Sequence, residues 1–325
     1  TQSRSSAASD VYKRQVLLFG EPMALFTAKV EGDLESVNLF EKSVAGAELN
    51  VCTGLVRLGH TASYITRLGD DPLGLYIKKF INKEKIGTEF ITFDTLNKTG
   101  LMFKSKVSNG DPVTAYYRKG SAFSNITSED IDKVSFDGVE LLHVTGIPPA
   151  LSLSCREATY RLMERAKEKG VYITFDPNLR PALWESEEVM VSVINDLAKK
   201  CDLILPGVAE GLALTGSGDV EKIADFYQNL GIKEVIIKNG SKGAYIRSGN
   251  ESFEQPGFKV EKVVDTVGAG DGFAAGVLSG KLEGLSIREC AIRGNAIGAI
   301  QVTYSSDNEG LPTQDELKKF IEKRM

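Results

Sequence analysis

The stretch Asp265-Thr266-Val267-Gly268-Ala269-Gly270-Asp271-Gly272-Phe273 decides how this chain reads. A Gly-Ala-Gly turn lies between two acids, and a run of apolar and small residues, Phe273-Ala274-Ala275-Gly276-Val277-Leu278, follows at once. A helix that opens on such a turn leaves its first backbone N–H groups unpaired and aimed one way. With the helix dipole, they make a seat for an anion. A carboxylate at that seat would repel the anion, so Asp271 is costly there unless it has a chemical task. Phosphoryl transfer to an alcohol supplies one. Asp271 would accept the hydroxyl proton while Gly268, Ala269, Gly270 and Asp271 hold the developing phosphate charge. The alternative is a tight turn with a helix cap. The run is not a Walker loop, because no Gly-Lys-Ser/Thr follows. It is not the dinucleotide fingerprint either, which wants glycine or alanine where Phe273 stands.

Outward from this turn, strands alternate with helices. The apolar runs Val16–Gly20 and Leu141–Val144 read as buried strands, and Ser63–Arg67, Val171–Phe175, Asp202–Leu205 and Glu234–Lys238 read as further strands. Ala47–Leu58, Leu73–Lys83, Ser154–Lys169, Glu187–Lys199, Gly270–Lys281, Ile287–Val302 and Gln314–Lys323 read as helices. The alternation predicts an α/β fold, a mostly parallel sheet with helices on both faces. Ala24–Val44 and Thr99–Tyr117 break the rhythm as β-rich excursions, the second around an Asn109-Gly110 turn.

The composition excludes several classes. The 325 residues are 42% hydrophobic and 26% charged, enough for a large core. A net charge of −5 argues against a nucleic-acid partner. The four cysteines, Cys52, Cys155, Cys201 and Cys290, form no C-x-x-C pair and read as buried thiols in a reducing compartment. The two histidines, His60 and His143, are too few for a histidine metal site and read as structural. No apolar stretch reaches membrane-spanning length, so no membrane partner is expected. Residues 1–15 are polar and serine-rich, without the apolar core of a signal peptide. They read as a disordered tail or a remnant of cloning or assembly, set apart from one domain over 16–325, and a cytoplasmic location is expected.

Two basic groups bear on the substrate. Tyr116-Tyr117-Arg118 ends the second excursion, and on its own could be an edge strand with a solvated basic end. Asp176-Pro177-Asn178-Leu179-Arg180-Pro181 follows the strand Val171–Phe175, where ligands of such sheets bind. The arginine fork matches a carboxylate with two hydrogen bonds, so Arg118 and Arg180 suggest an acid substrate that also carries hydroxyls.

Asp265–Asp271 resembles the C-terminal signature of the ribokinase-like (PfkB) carbohydrate kinases. Ala45-Gly46-Ala47-Glu48-Leu49-Asn50-Val51, with Arg67-Leu68-Gly69-Asp70-Asp71-Pro72-Leu73-Gly74, resembles their N-terminal one. The resemblance runs from Val16 to the C-terminus. It implies a ribokinase-like three-layer sandwich whose two excursions pair into a small β-sheet lid over the sugar, often a dimer contact, so that a homodimer or higher homo-oligomer is expected. Gly20-Glu21-Pro22, the Tyr-Tyr-Arg run, Asn178-Leu179-Arg180 and Asp307-Asn308-Glu309-Gly310 resemble the 2-keto-3-deoxygluconate kinase branch. By that resemblance Gly46, Ala47, Glu48, Leu49, Asn50, Tyr116, Tyr117, Arg118, Asn178, Arg180, Asp271 and Asp307 meet the substrate. Met102 stands where related enzymes carry tyrosine. Gly207, Lys238, Gly240, Lys242, Gly243, Gly268, Ala269, Gly270 and Asn295 lie along ATP. Glu210 meets Mg²⁺ through water, although Gly207 replaces the usual asparagine beside it. A monovalent cation near the anion seat is left open. The implied reaction is ATP-dependent phosphorylation of 2-keto-3-deoxygluconate at its terminal hydroxyl. The alternatives are 2-keto-3-deoxygalactonate or fructose as acceptor, or a non-catalytic sensor that kept the fold.

Overall fold

A strand covered on both faces reads as an unbroken apolar run, because alternate side chains enter two different cores. In β1 (Gln15–Phe19), Leu17 and Phe19 enter one core and Val16 and Leu18 the other. These positions belong to a computed structural model that describes residues 15–107 and 112–324.

The first excursion, β2 (Met23–Glu31) and β3 (Phe40–Ala45), precedes α1 (Ala47–Arg57). Next come β4 (Thr61–Gly69), α2 (Pro72–Lys83) and β5 (Ile91–Asp94). The second excursion is β6 (Leu101–Lys106) and β7 (Thr114–Tyr117). Then follow α3 (Ser128–Asp132), β8 (Val139–Thr145), α4 (Pro148–Leu151), α5 (Leu153–Glu168), β9 (Tyr172–Asp176), α6 (Glu187–Ala198) and β10 (Leu203–Ile204). After α7 (Val208–Thr215), α8 (Val220–Asn229) and β11 (Glu234–Lys238), a hairpin of β12 (Gly243–Ser248) and β13 (Glu251–Pro256) turns antiparallel. The helices α9 (Ala269–Leu282), α10 (Ile287–Gln301) and α11 (Gln314–Glu322) come last.

The main sheet is nine-stranded, in the order β13-β12-β11-β10-β9-β8-β1-β4-β5, and is parallel from β11 to β5. Helices α5, α6 and α8 cover one face through Leu162, Ile194 and Tyr227, and α1, α2 and α9 cover the other through Leu55, Ile77 and Val277. The chain winds one way from β1 to β4 and the other way from β8 onward. That reversal opens a crevice beyond the carboxyl ends of the strands. A separate four-stranded sheet, β3-β2-β6-β7, joins the two excursions through a parallel β2–β6 pairing.

Element boundaries differ from expectation by a residue or two. Gln15, assigned to the tail, already pairs with Thr61 in the sheet. The expected tail over 1–14 and the Asn109-Gly110 turn lie outside the described residues. The edge strand β5 was not anticipated, since Ile-Thr-Phe-Asp is only partly buried and lacks the apolar run of a central strand. Neither were α7, which carries Gly211 in its middle, and α8. The four cysteines are free and buried. Among the described residues, no helix is long and apolar enough to cross a membrane.

Candidate active site

The turn Asp265–Asp271 is shaped by its neighbours. Asp265 Oδ1 accepts the Val267 N–H at 3.0 Å, bending the chain ahead of α9. Gly268 adopts φ +77°, and a side chain there would collide with the Asp307 carbonyl, so both the backbone conformation and the close approach require glycine. Asp271 follows in the first turn of α9. Asn50, from α1, donates from Nδ2 to Asp271 Oδ2 at 2.8 Å. Burial raises the Asp271 pKa to about 6. The Asn50 hydrogen bond and the Arg180 and Lys238 cations restrain the rise, while Asp176 adds to it. A carboxylate tuned in this way is a base able to act near neutral pH.

Two cavities meet at this turn. One, of about 460 Å³, lies under the lid, and the other, of about 330 Å³, lies against β12 and α10. Both are of a size that takes a small molecule. Lys238, Thr266 and Gly270 line both of them.

The lid-side cavity gathers Gly46, Ala47, Asn50, Tyr116, Arg118, Asn178, Arg180, Gly268, Gly270, Asp271 and Asp307, along with Glu210. Tyr117, Glu48 and Leu49 are not among its lining residues. Adjacent residues of a strand face opposite ways, so Tyr116 points inward while Tyr117 packs edge-on against Phe103 outside. The helical turn likewise puts Ala47 and Asn50 on the cavity and sends Leu49 into the core. Glu48 is buried beneath, accepting the Thr145 hydroxyl, and burial pushes its pKa up to about 7. Met102 lines the cavity and pairs across the strands with Tyr116, which lines it too.

The two arginines differ in their commitments. Arg118 is buried and gives Nε and Nη2 to Glu21 Oε2 at 2.6 and 2.5 Å. Arg180 is exposed at the rim, where Nη1 donates to the Leu179 carbonyl at 2.9 Å. Asn178 sits between, with φ +38°, a left-handed conformation that asparagine tolerates better than most residues.

The second cavity brings together Lys238, Gly240, Gly243, Ala269, Gly270 and Asn295. Lys242, Gly207 and Gly268 are not among its lining residues, and Gly268 lines the lid-side cavity instead. Its walls add Phe258, Val260, Val263, Ala299 and Val302, an apolar slot suited to a flat ring. Asn295 Nδ2 braces it by donating to the Gln255 carbonyl at 3.1 Å. Glu210 Oε1 and Oε2 accept the N–H groups of Leu179 and Gly207 at 2.8 and 2.7 Å. Its carboxylate keeps lone pairs for water at the cavity edge. Among the described residues, no cluster of His, Cys, Asp or Glu could itself hold a metal. A hydrated ion that arrives on a nucleotide fits this donor set, and a protein cage does not.

The model of the pfkB family of carbohydrate kinases matches residues 13–314.
The chain belongs to that family.
It is therefore a sugar kinase of ribokinase-like fold. Over 310 residues it is 46% identical to the 2-dehydro-3-deoxygluconokinase of Bacillus subtilis (strain 168), covering 95% of this chain and 96% of that one. A PfkB protein from Polaromonas sp. JS666 superposes with a TM-score of 0.87 at 42% identity, over 94% of this chain and 99% of that one. An uncharacterized sugar kinase from Pyrococcus horikoshii, solved in complex with ATP, superposes with a TM-score of 0.79 at 29% identity, over 94% and 99%.

In this pfkB kinase, sequence reading missed two charged residues that line the lid-side cavity. Lys104 of β6 reaches Asp265 Oδ2 at 2.8 Å and Asp307 Oδ1 at 4.0 Å, tying the lid to the loop ahead of α9. The signal was its spacing two residues after Met102, which puts both on the inner face of the strand. Asp176 reads in the sequence only as the start of a loop, yet it ends β9 and pairs with Lys238.

Proposed function

We propose that this kinase transfers the γ-phosphoryl group of ATP to the terminal (6-) hydroxyl of 2-keto-3-deoxygluconate. The observation that carries the reading is the junction of the two cavities at Gly270, where Asp271 faces the lid side and the anion-binding N-terminus of α9 faces the seam. A nucleotide in the apolar slot directs its phosphates to that seam, and an acceptor hydroxyl beneath the lid meets them there. Asp271 takes the hydroxyl proton, and the N–H groups at Gly268–Asp271 stabilise the phosphoryl group in flight. Mg²⁺ carried by the nucleotide would be met through water by Glu210, and would neutralise phosphate charge. Arg180 and Arg118, with Tyr116, Asn178 and Asp307, hold the acid end and the hydroxyls, which fixes the oxygen presented to Asp271. The 46% identical relative, named a 2-dehydro-3-deoxygluconokinase, supports this acceptor.

The Arg118–Glu21 pair favours a second reading, in which the acceptor is a neutral keto sugar such as fructose, because Glu21 already neutralises one of the two arginines. Coupled ATP turnover with Mg²⁺ decides between them, using 2-keto-3-deoxygluconate, 2-keto-3-deoxygalactonate, gluconate, fructose and ribose. Selectivity for the keto-deoxy acids supports the first reading. A preference for fructose or ribose overturns it and leaves both arginines structural.

The outer face of the lid supports a homodimer or larger homo-oligomer. There Phe103 contacts Phe26, Phe40 and Tyr117 at centroid distances of 5.2, 5.2 and 5.9 Å.

A further inference from the structure

Lys238 ends β11 and Asp176 ends β9, with the short strand β10 between them. The lysine crosses over the end of β10 and sets Nζ 2.8 Å from Asp176 Oδ1 and 2.7 Å from Oδ2. Asp176 is 2% exposed, so its charge faces this ammonium and almost no water. A buried ion pair is weak evidence for stability, since its desolvation cost rivals its attraction. Its position is more informative. The ammonium lies 3.8 Å from where a Gly270 Cβ would stand, directly over the anion-binding turn. Of the three residues shared by both cavities, Lys238 alone carries a charge. The surrounding carboxylates of Asp176, Glu210 and Asp271 outweigh the effect of burial and keep it protonated. A phosphoryl group crossing this seam passes those three negative groups, and a fixed cation over the turn offsets their repulsion where charge develops.

We propose that Lys238 is a catalytic residue that contacts the oxygens of the transferring phosphoryl group, and that Asp176 is the positioning residue that aims its ammonium at the seam. This rests on the phosphoryl-transfer reading above and not on which sugar accepts the phosphate. During the step, the bond from the γ-phosphorus to the β,γ-bridging oxygen breaks and the bond to the sugar oxygen forms. The hydroxyl proton passes to Asp271, and Lys238 keeps its own proton throughout.

The test compares Lys238→Met, Asp176→Asn and the double variant, which leaves no unpaired buried charge and controls for folding. Steady-state kinetics would be read beside calorimetric ADP affinity. Lys238→Met should lower kcat about 10²- to 10³-fold, with ADP affinity changed only a few-fold. Asp176→Asn should lower kcat about 10-fold at nearly constant sugar KM, and the double variant should be no faster than Lys238→Met. Lys238→Cys, alkylated with 2-bromoethylamine, restores an ammonium of nearly the same reach and should recover much of the lost kcat. The native cysteines are buried and should be spared. The proposal is overturned if Lys238→Met stays within about 5-fold of wild-type kcat, if its loss is wholly in nucleotide affinity, or if the restored ammonium recovers nothing. Wild-type inactivity on the sugar panel would count against the acceptor reading alone. The variants would then be scored on the slow transfer of phosphate from ATP to water.

Discussion

Asp271→Asn keeps the outline of the side chain and removes its basicity. Turnover should fall about 10³-fold while sugar affinity, measured by calorimetry, stays within a few-fold. The Asp271 pKa of about 6 places an acid limb in the wild-type kcat/KM profile, with activity lost as pH falls through that value. Asn50 donates to the carboxylate and so favours its charged form. Asn50→Ala should therefore move the limb to higher pH, and an unmoved limb would show that Asn50 does not hold the base. Glu48 gives the opposite pH dependence in stability. Its folded pKa of about 7 lies above the ordinary 4.5, so the fold holds a proton that the unfolded chain releases. The penalty is absent below about pH 4 and complete above about pH 7. Glu48→Gln removes it, and the gain in urea stability should grow from near zero at pH 4 towards a ceiling of about 3 kcal/mol at pH 8. Asp271 was legible because an acid inside a glycine turn violates the electrostatics of an anion seat. Asp176 was not, because its meaning depends on a partner 62 positions away.

At the scale of elements, the central strands and long helices were legible because two covered faces leave an apolar run and a helix face leaves a 3.6-residue period. Strand parity was the obstacle within the lid. Tyr116 and Tyr117 are chemically alike, and only the pairing of β6 with β7 tells which of them faces the cavity. The same parity hid Lys104, which reads as a solvated lysine until β6 is placed over the turn that begins at Asp265. Its contacts with Asp265 and Asp307 hold the lid strand to two loops of the main body. Lys104→Met leaves two carboxylates facing each other without their cation and should loosen the lid. Sugar KM should rise about 10-fold, with hydrogen exchange faster in β6 and β7 than in wild type and unchanged in β9.

For the whole molecule, the aromatic patch outside the lid gives the assembly prediction. Phe103 sits at the centre of that patch, touching three other rings. Phe103→Ser should shift the sedimentation profile from an oligomer to a monomer at micromolar concentration. A wild-type profile that is monomeric throughout would refute assembly through this face. The fold class was readable from the order of elements. The meeting of the two cavities was not, since it depends on loops after β9, β10 and β11 that the sheet order alone brings together. The buried thiols have a use of another kind. Cys155 and Cys201 belong to the layer on one side of the main sheet, and Cys52 and Cys290 to the layer on the other. Each pair is silent to a thiol reagent until its own layer opens. Labelling rates resolved by peptide therefore act as two independent clocks, one per layer, and would reveal whether the two sides of the sheet open together or separately when ligands fill the seam.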